Sequence, residues 1–254
     1  MKNNSCLLLT HIHIYENERY KKDILEYALT DFKNRNPNYH IILSGHGLQP
    51  NNNVKDNLCD TFLWDDNVIS NEIGRGHPTM VRLGLNKALD LGFKYIFKTR
   101  ADSIFLRNNI VEFCNEVLEN ESKKIMLSYG TCYDKRWAGD LTMFCSTDLL
   151  DKIWIDGNWN YSTNGLENLG NGIEKTFGYD GELWLDFLRK HICYKDPVNL
   201  KWVDLLGPHP HNSNKWNLIK SDSNFEFNYE KYVWGKDWHI KNPYTVSEDT
   251  FYDN

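Results

Sequence analysis

A chain of 254 residues is long enough to bury a sizeable core without disulfide or metal staples. Its 41% hydrophobic and 25% charged residues exclude a disordered chain, a fibre and a membrane bundle. With 29 Lys+Arg against 35 Asp+Glu, the net charge of -6 offers no field to nucleic acid or anionic lipid, so no nucleic-acid partner and at most peripheral membrane contact are expected.

The aromatic content is high, 14% with 9 Trp and 14 Tyr, and such rings suit both packing and sugar or base stacking. Cys6, Cys59, Cys114, Cys132, Cys145 and Cys193 form no CxxC pair, which argues against a zinc ribbon and for a reduced setting. The apolar run from Cys6 breaks at His11 and His13, too early for a signal segment, and a cytoplasmic location is expected.

In chain order, residues 6–12 read as a strand, and Ile24, Tyr27, Ala28 and Phe32 mark one stripe of a helix over 19–32. Residues 39–45 and 61–64 read as two more short strands with polar exits. After Pro78, a first helical residue, Val81, Leu85, Ala88 and Leu89 recur with helical period, and Gly92 falls where a C-cap belongs. Tyr95-Ile96-Phe97 then forms a buried strand that runs out into a charged turn, Lys98 to Ser103. A helix over 109–119 leads to a strand at 125–129, then a strand at 141–144 and a short helix at 149–154. The Asn- and Gly-rich stretch 156–176 reads as a long loop, and 180–191 as a helix.

Strands alternating with helices of ten or more residues predict a three-layer αβα fold with a mainly parallel central sheet, whose ligands sit at the carboxyl ends of strands. One domain is expected over 1–254: an α/β core to about residue 195, with the aromatic-rich remainder packed on it.

Lys98-Thr99-Arg100-Ala101-Asp102 carries the most information. An acidic residue just past a central strand can hold a divalent cation or a ribose hydroxyl. In extended chain Arg100 and Asp102 point to one side, which a simple surface ion pair would also explain. Asp180-Gly181-Glu182 opens the later helix, where carboxylates serve either as caps or as a general base. Asp140, beside Gly139, suits gripping sugar hydroxyls. Arg75 and His77 precede or begin the Pro78 helix, whose free N–H groups suit an anion, though a solvated turn would look the same.

Gly84-Leu85, the strand ending at Asp102, Gly139-Asp140-Leu141-Thr142-Met143-Phe144 and Gly181-Glu182-Leu183-Trp184-Leu185 together resemble, in order, the WavE-type lipopolysaccharide synthesis proteins. Those are GT-A-like glycosyltransferases, and the likeness spans roughly the first three quarters of the chain. It implies a hexosyltransferase that moves a sugar from a nucleotide diphosphate donor to a glycan or lipid-linked saccharide acceptor. It also implies that Thr10 and His11, with Lys98, Arg100 and Asp102, cradle the nucleotide, that Glu182 takes the family's acidic position, and that His209 or His211 completes a metal shell with Asp102.

The family's Asp-x-Asp, which holds manganese or magnesium, is Arg100-Ala101-Asp102 in this sequence. Loss of one carboxylate weakens a hard-cation site, and arginine can itself pair with diphosphate oxygens. Two other functions fit parts of the sequence. His11-x-His13 matches the HxH of barrel-shaped metal-dependent hydrolases, with His209-x-His211 as the second pair. The tryptophan-rich second half fits a non-catalytic carbohydrate-binding module.

Overall fold

A computed structural model of the chain describes residues 4–14, 18–66, 76–121, 123–127, 142–154, 192–194, 200–205 and 213–232. The elements run β1 (Ser5–Ile14), α1 (Tyr20–Arg35), β2 (His40–Gly47), a π-helical turn (Val54–Leu58), β3 (Thr61–Asp65), α2 (Gly76–Asp90), β4 (Tyr95–Arg100) and β5 (Ser103–Phe105). There follow α3 (Ile110–Glu121), β6 (Ile125–Leu127), β7 (Met143–Ser146), α4 (Thr147–Ile153), β8 (Ile192–Tyr194), β9 (Trp202–Asp204), α5 (Ser213–Ser221) and a 3₁₀ turn (Tyr229–Lys231).

Seven strands form one sheet in the order β3-β2-β1-β4-β7-β6-β8. Neighbouring strands are parallel except at β7, which runs against both β4 and β6. Among the described residues the sheet is open, with β3 and β8 at its edges. The closed barrel that the HxH hydrolase reading requires is therefore not what these strands build.

Both faces of the sheet are buried, which is why its strands read as near-continuous apolar runs rather than alternating ones. Side chains of even position in β1, β2 and β4 pack one way. Cys6, Leu8, Ile42 and Ile96, with Met143 and Cys145, meet Val81, Leu85 and Ala88 of α2 and Leu150, Ile153 and Trp154 of α4. Their sequence neighbours Leu7, Ile41, Leu43 and Phe97, with Phe144, meet Leu25, Leu29 and Phe32 of α1 and Ile110, Val111 and Cys114 of α3. The result is the expected three-layer αβα arrangement.

The helix after Pro78 forms as its spacing predicts. It ends in a Schellman motif: Gly92, at φ +76, donates to Leu89 O at 2.9 Å, and Phe93 donates to Ala88 O at 3.1 Å. Its close approach to the sheet has one cause. A Cβ on Gly84 would lie 2.2 Å from Leu8 Cδ1, so only glycine lets the helix sit this near β1.

Some expectations need adjusting. Tyr27, placed on the inward stripe of α1, is 42% exposed and meets the Trp216 ring edge-on at 5.2 Å between centroids. Leu25 and Leu29 face the sheet in its place. The charged turn starts later than the sequence indicates, because β4 carries Lys98, Thr99 and Arg100 in its ladder, and Lys98 and Thr99 are fully buried. The strand expected at 141–144 lies at Met143–Ser146. The last part of the chain, without visible periodicity, supplies β9, which pairs antiparallel with β5, and α5. There Val203, Leu205, Trp216, Ile219 and Phe225 pack on Ile24 and Ala28 of α1. The loop at 156–176 and the helix at 180–191 lie outside the described residues. No helix among the described residues is long and apolar enough to cross a membrane.

Candidate functional site

Beside β1 the strand order of the sheet turns back on itself. From β1 the chain builds β2 and then β3 on one side, and then returns to place β4 on the other side of β1. In open α/β sheets, the divergence of the connections at such a point leaves a crevice outside the strands' carboxyl ends, and ligands bind there. The β1–β4 register runs to Leu9 opposite Thr99 and Thr10 opposite Arg100, where β4 stops. From there β1 continues beside β2 alone, as far as Ile14 opposite Gly47. It carries one extra residue between Leu9 and Ile12 relative to β2, a bulge of the kind that re-aims side chains at strand ends. Leu48 N donates to Ile14 O at 2.8 Å and closes that end of the pair.

Arg100 and Asp102 lie at this point. Asp102 follows β4 in a two-residue turn, and its backbone carbonyl accepts from Leu205 N at 2.9 Å, so the β9 end pins the turn. Its carboxylate is 1% exposed and accepts from Arg100 Nε and Nη2, each at 2.8 Å. The two-residue spacing thus does put both side chains on one side, as a bidentate fork. This is not a surface ion pair, since the Arg100 side chain is itself only 11% exposed. Removing one partner of such a buried pair costs about 3–5 kcal/mol, because the other charge is left uncompensated.

A second buried ion pair lies within electrostatic reach of the first. Lys21, in the first turn of α1, donates from Nζ to Glu18 Oε2 at 2.7 Å, with both side chains almost fully buried. Burial lowers the Lys21 pKa, while the carboxylates of Glu18 and Asp102 raise it and the Arg100 guanidinium lowers it further. His46, near the end of β2, is buried too. Burial pulls its pKa down, Asp65 opposes that pull and Lys21 adds to it. Lys21 thus feels the charges of Glu18, Asp102 and Arg100, and His46 feels that of Lys21.

Other sequence candidates fall differently. Lys98 is two residues before Arg100 and wholly buried, with Nζ 5.1 Å from the centre of the Trp154 ring in the α2–α4 layer. Thr10 and His11 are placed by backbone alone, Thr10 beside Arg100 and His11 in the bulge. His13 stands in register with His46, and His77 lies in the first turn of α2. Arg75, Asp140, Asp180, Glu182, His209 and His211 lie outside the described residues.

Sequence reasoning missed Lys21, Glu18 and His46. The signal for Lys21 was present: positions 21, 25, 28 and 32 make one helical stripe whose other three members, Leu25, Ala28 and Phe32, are buried. A lysine heading an apolar stripe needs a partner.

The described donors do not fit a divalent metal. Both oxygens of Asp102 already accept from a guanidinium, whose charge repels a cation placed beside it. Among the described residues no three His, Cys, Asp or Glu side chains come together in a group that could hold a metal ion.

No family model matches the chain, and no curated protein matches it. Among solved structures it is similar to a protein from Desulfovibrio desulfuricans described as a nucleotide-diphospho-sugar transferase, at 12% identity over 93% of this chain and 98% of that one, TM-score 0.46. It is similar also to a protein from Bacillus anthracis described as a glucose-1-phosphate thymidylyltransferase, in complex with a sucrose, at 12% identity over 88% and 98%, TM-score 0.49. A mannosyltransferase from Pyrobaculum calidifontis, in complex with GDP-Man and Mn2+, matches at 8% identity over 98% and 68%, TM-score 0.45. A mixed α/β fold around a mainly parallel sheet, open at both edges, is the class to which this chain belongs.

Proposed function

We propose that the chain is a single-domain, cytoplasmic, GT-A-type glycosyltransferase that moves a hexose from a nucleotide diphosphate donor to a glycan or lipid-linked saccharide acceptor, in the manner of the WavE-type proteins. The observation that carries the reading is the pairing of Arg100 with Asp102 at the carboxyl end of β4, beside β1, where the strand order reverses. That is the place where an α/β sheet receives a nucleotide. A guanidinium there matches the oxygens of a diphosphate in bidentate fashion.

In the transfer, an acceptor hydroxyl oxygen forms a bond to the anomeric carbon while the bond from that carbon to the β-phosphate oxygen breaks. The bonding pair leaves with the nucleoside diphosphate, which gains negative charge. Arg100, fixed by Asp102, stabilises that charge without having to reorient, which is where electrostatic catalysis gains most. The hydroxyl proton passes to a carboxylate, for which Glu182 and Asp180 are the candidates, with Asp140 gripping the sugar hydroxyls. Arg75 and His77 would meet donor phosphate or sugar, and Thr10 and His11 the nucleobase.

The test is a thermal-shift screen of nucleoside diphosphates and nucleotide sugars, each with and without manganese. A rise in Tm with one nucleotide class supports the reading. No rise with any of them, together with a rise for free glycans, would replace it with the carbohydrate-binding module.

A further inference from the structure

Resting on the glycosyltransferase reading, we infer that Thr99 and Thr142 are positioning residues, whose joined hydroxyls hold the end of β4 in the place from which Arg100 meets the donor diphosphate.

The register of β4 against β7 leads to this pair. Tyr95, Ile96, Phe97 and Lys98 stand opposite Ser146, Cys145, Phe144 and Met143, and the strand pairing ends there. One residue further along both chains come Thr99 and Thr142, where side chains take over from main chain. Their Oγ1 atoms lie 2.9 Å apart, one hydroxyl donating to the other. Arg100 is the next residue of β4. On the other side β4 is held by β1 as far as Thr10 opposite Arg100. The hydroxyl pair thus extends the grip of β7 by one rung, to the residue that precedes Arg100. β7 is a firm support for it, because β6 pairs with its far side and Met143, Phe144 and Cys145 are buried.

Packing alone does not call for hydroxyls at these positions. Thr99 and Thr142 are 0% and 1% exposed. Two residues earlier on the same face the apolar rings of Phe97 and Phe144 occupy the core. Two valines would fill nearly the same volume without an oxygen to bury. Two hydroxyls also bring two hydrogens, and their mutual bond uses one. Among the described residues neither side chain makes another hydrogen bond, so a buried donor is left over, a cost that valines would not carry.

What the hydroxyls add is direction. A hydrogen bond weakens steeply away from its preferred distance and angle, whereas an apolar contact lets two strand ends slide past each other. Bidentate pairing of a guanidinium with phosphate oxygens depends on geometry at that scale, and a misplacement of about 1 Å is enough to cost a site much of its effect. Asp102 orients the Arg100 fork, and the threonine pair fixes the strand end that carries it.

The experiment pairs Tm with calorimetric titration of uridine, guanosine, adenosine, cytidine and thymidine diphosphates into the full chain. The proteins are the wild type, the double variant Thr99→Val/Thr142→Val, and the single variants Thr99→Ser and Thr142→Ser. The valines keep the volume and remove the bond. The double variant is expected to melt no lower than the wild type and to bind the best wild-type diphosphate at least fivefold more weakly. The serines keep the bond and remove a buried methyl group. Each is expected to melt lower, yet to bind the diphosphate within twofold of the wild type. If the pair served the fold alone, affinity would follow Tm in both sets. Because the pair acts through Arg100, adding both valines to Arg100→Met is expected to weaken binding less than twofold further. A double valine variant that melts lower, does not fold, or loses less than fivefold in affinity overturns this inference. So do serine variants that lose affinity along with Tm, or a full further loss in the Arg100→Met background. Each of these results leaves the glycosyltransferase reading in place, whereas failure of every diphosphate to bind the wild type overturns the two together.

Discussion

Gly84→Ala is expected to destabilise the protein although it removes a glycine from a helix. In an exposed helix interior the change would stabilise by about 1 kcal/mol. Here the added Cβ would lie 2.2 Å from Leu8 Cδ1 and 3.2 Å from Leu8 Cδ2, against an ordinary carbon–carbon separation of about 3.5–4.0 Å. Leu8 is fully buried between β1's neighbours and α2, so its methyl groups have nowhere to swing. Either the leucine leaves its rotamer or α2 withdraws from the sheet, at an overpacking cost of about 1–3 kcal/mol. Less the helix gain of about 1 kcal/mol, the net loss is about 0–2 kcal/mol. For a chain of this size that corresponds to a fall in Tm of up to about 8 °C. Chemical denaturation of the single variant, of Leu8→Val and of the double variant measures the effect and its cause. Shortening Leu8 should relieve the clash, so the double variant should lose about 1 kcal/mol less than the sum of the singles. A raised Tm for Gly84→Ala, or strict additivity with Leu8→Val, would refute the close approach of α2 to β1.

Two further outcomes follow from burial. His40 and His46 both titrate below 6.5, with burial the larger cause, so the unfolded chain binds more protons than the folded one in the range just below that value. Stability is therefore expected to be fully present above about pH 6.5 and to fall as the pH drops through and below it. His40→Gln and His46→Gln should each flatten that part of the Tm–pH curve, and an unchanged curve in both would contradict the assignment. Burial also raises the thiol pKa of four cysteines, Cys6 to about 12, Cys59 to about 11, and Cys114 and Cys145 well above the ordinary value, and Cys193 is buried too. At pH 8 a thiol of pKa 12 is ionised about once in ten thousand. Native protein should show at most one fast-reacting thiol toward an aromatic disulfide, Cys132, and all six on denaturation. Two or more fast thiols in the native state would count against the core as described.

What could be read from the sequence was local. The Val81-Leu85-Ala88 period with Gly92 after it specified α2 and its Schellman end, because a helix and its cap are settled within a dozen residues. The apolar runs at 6–12 and 39–45 and the Tyr95-Ile96-Phe97 core gave β1, β2 and β4, because a parallel strand buried on both faces has no polar positions to blur it. The strand exit at Arg100-Ala101-Asp102 was legible as the end of a central strand, and its two-residue spacing foretold a shared side. What sequence could not give was partnership at long range. β5 pairs with β9, so Ile104 meets Val203 across nearly a hundred residues, and three-residue strands carry no period of their own. Lys21 and Glu18 look like an ordinary solvated pair at a helix start, and only the fold shows that both are buried. Lys98 reads as part of a charged turn, yet it lies inside the sheet with its ammonium over Trp154, an arrangement that depends on α4 folding back from β7.

The account stands or falls on whether the Arg100 fork at the strand reversal receives a diphosphate. Calorimetric titration of the best nucleoside diphosphate into wild type and Arg100→Met, with circular dichroism showing both folded, measures this directly. Wild-type binding that falls at least tenfold in the variant is the expected result. Equal affinity in the two proteins would contradict it.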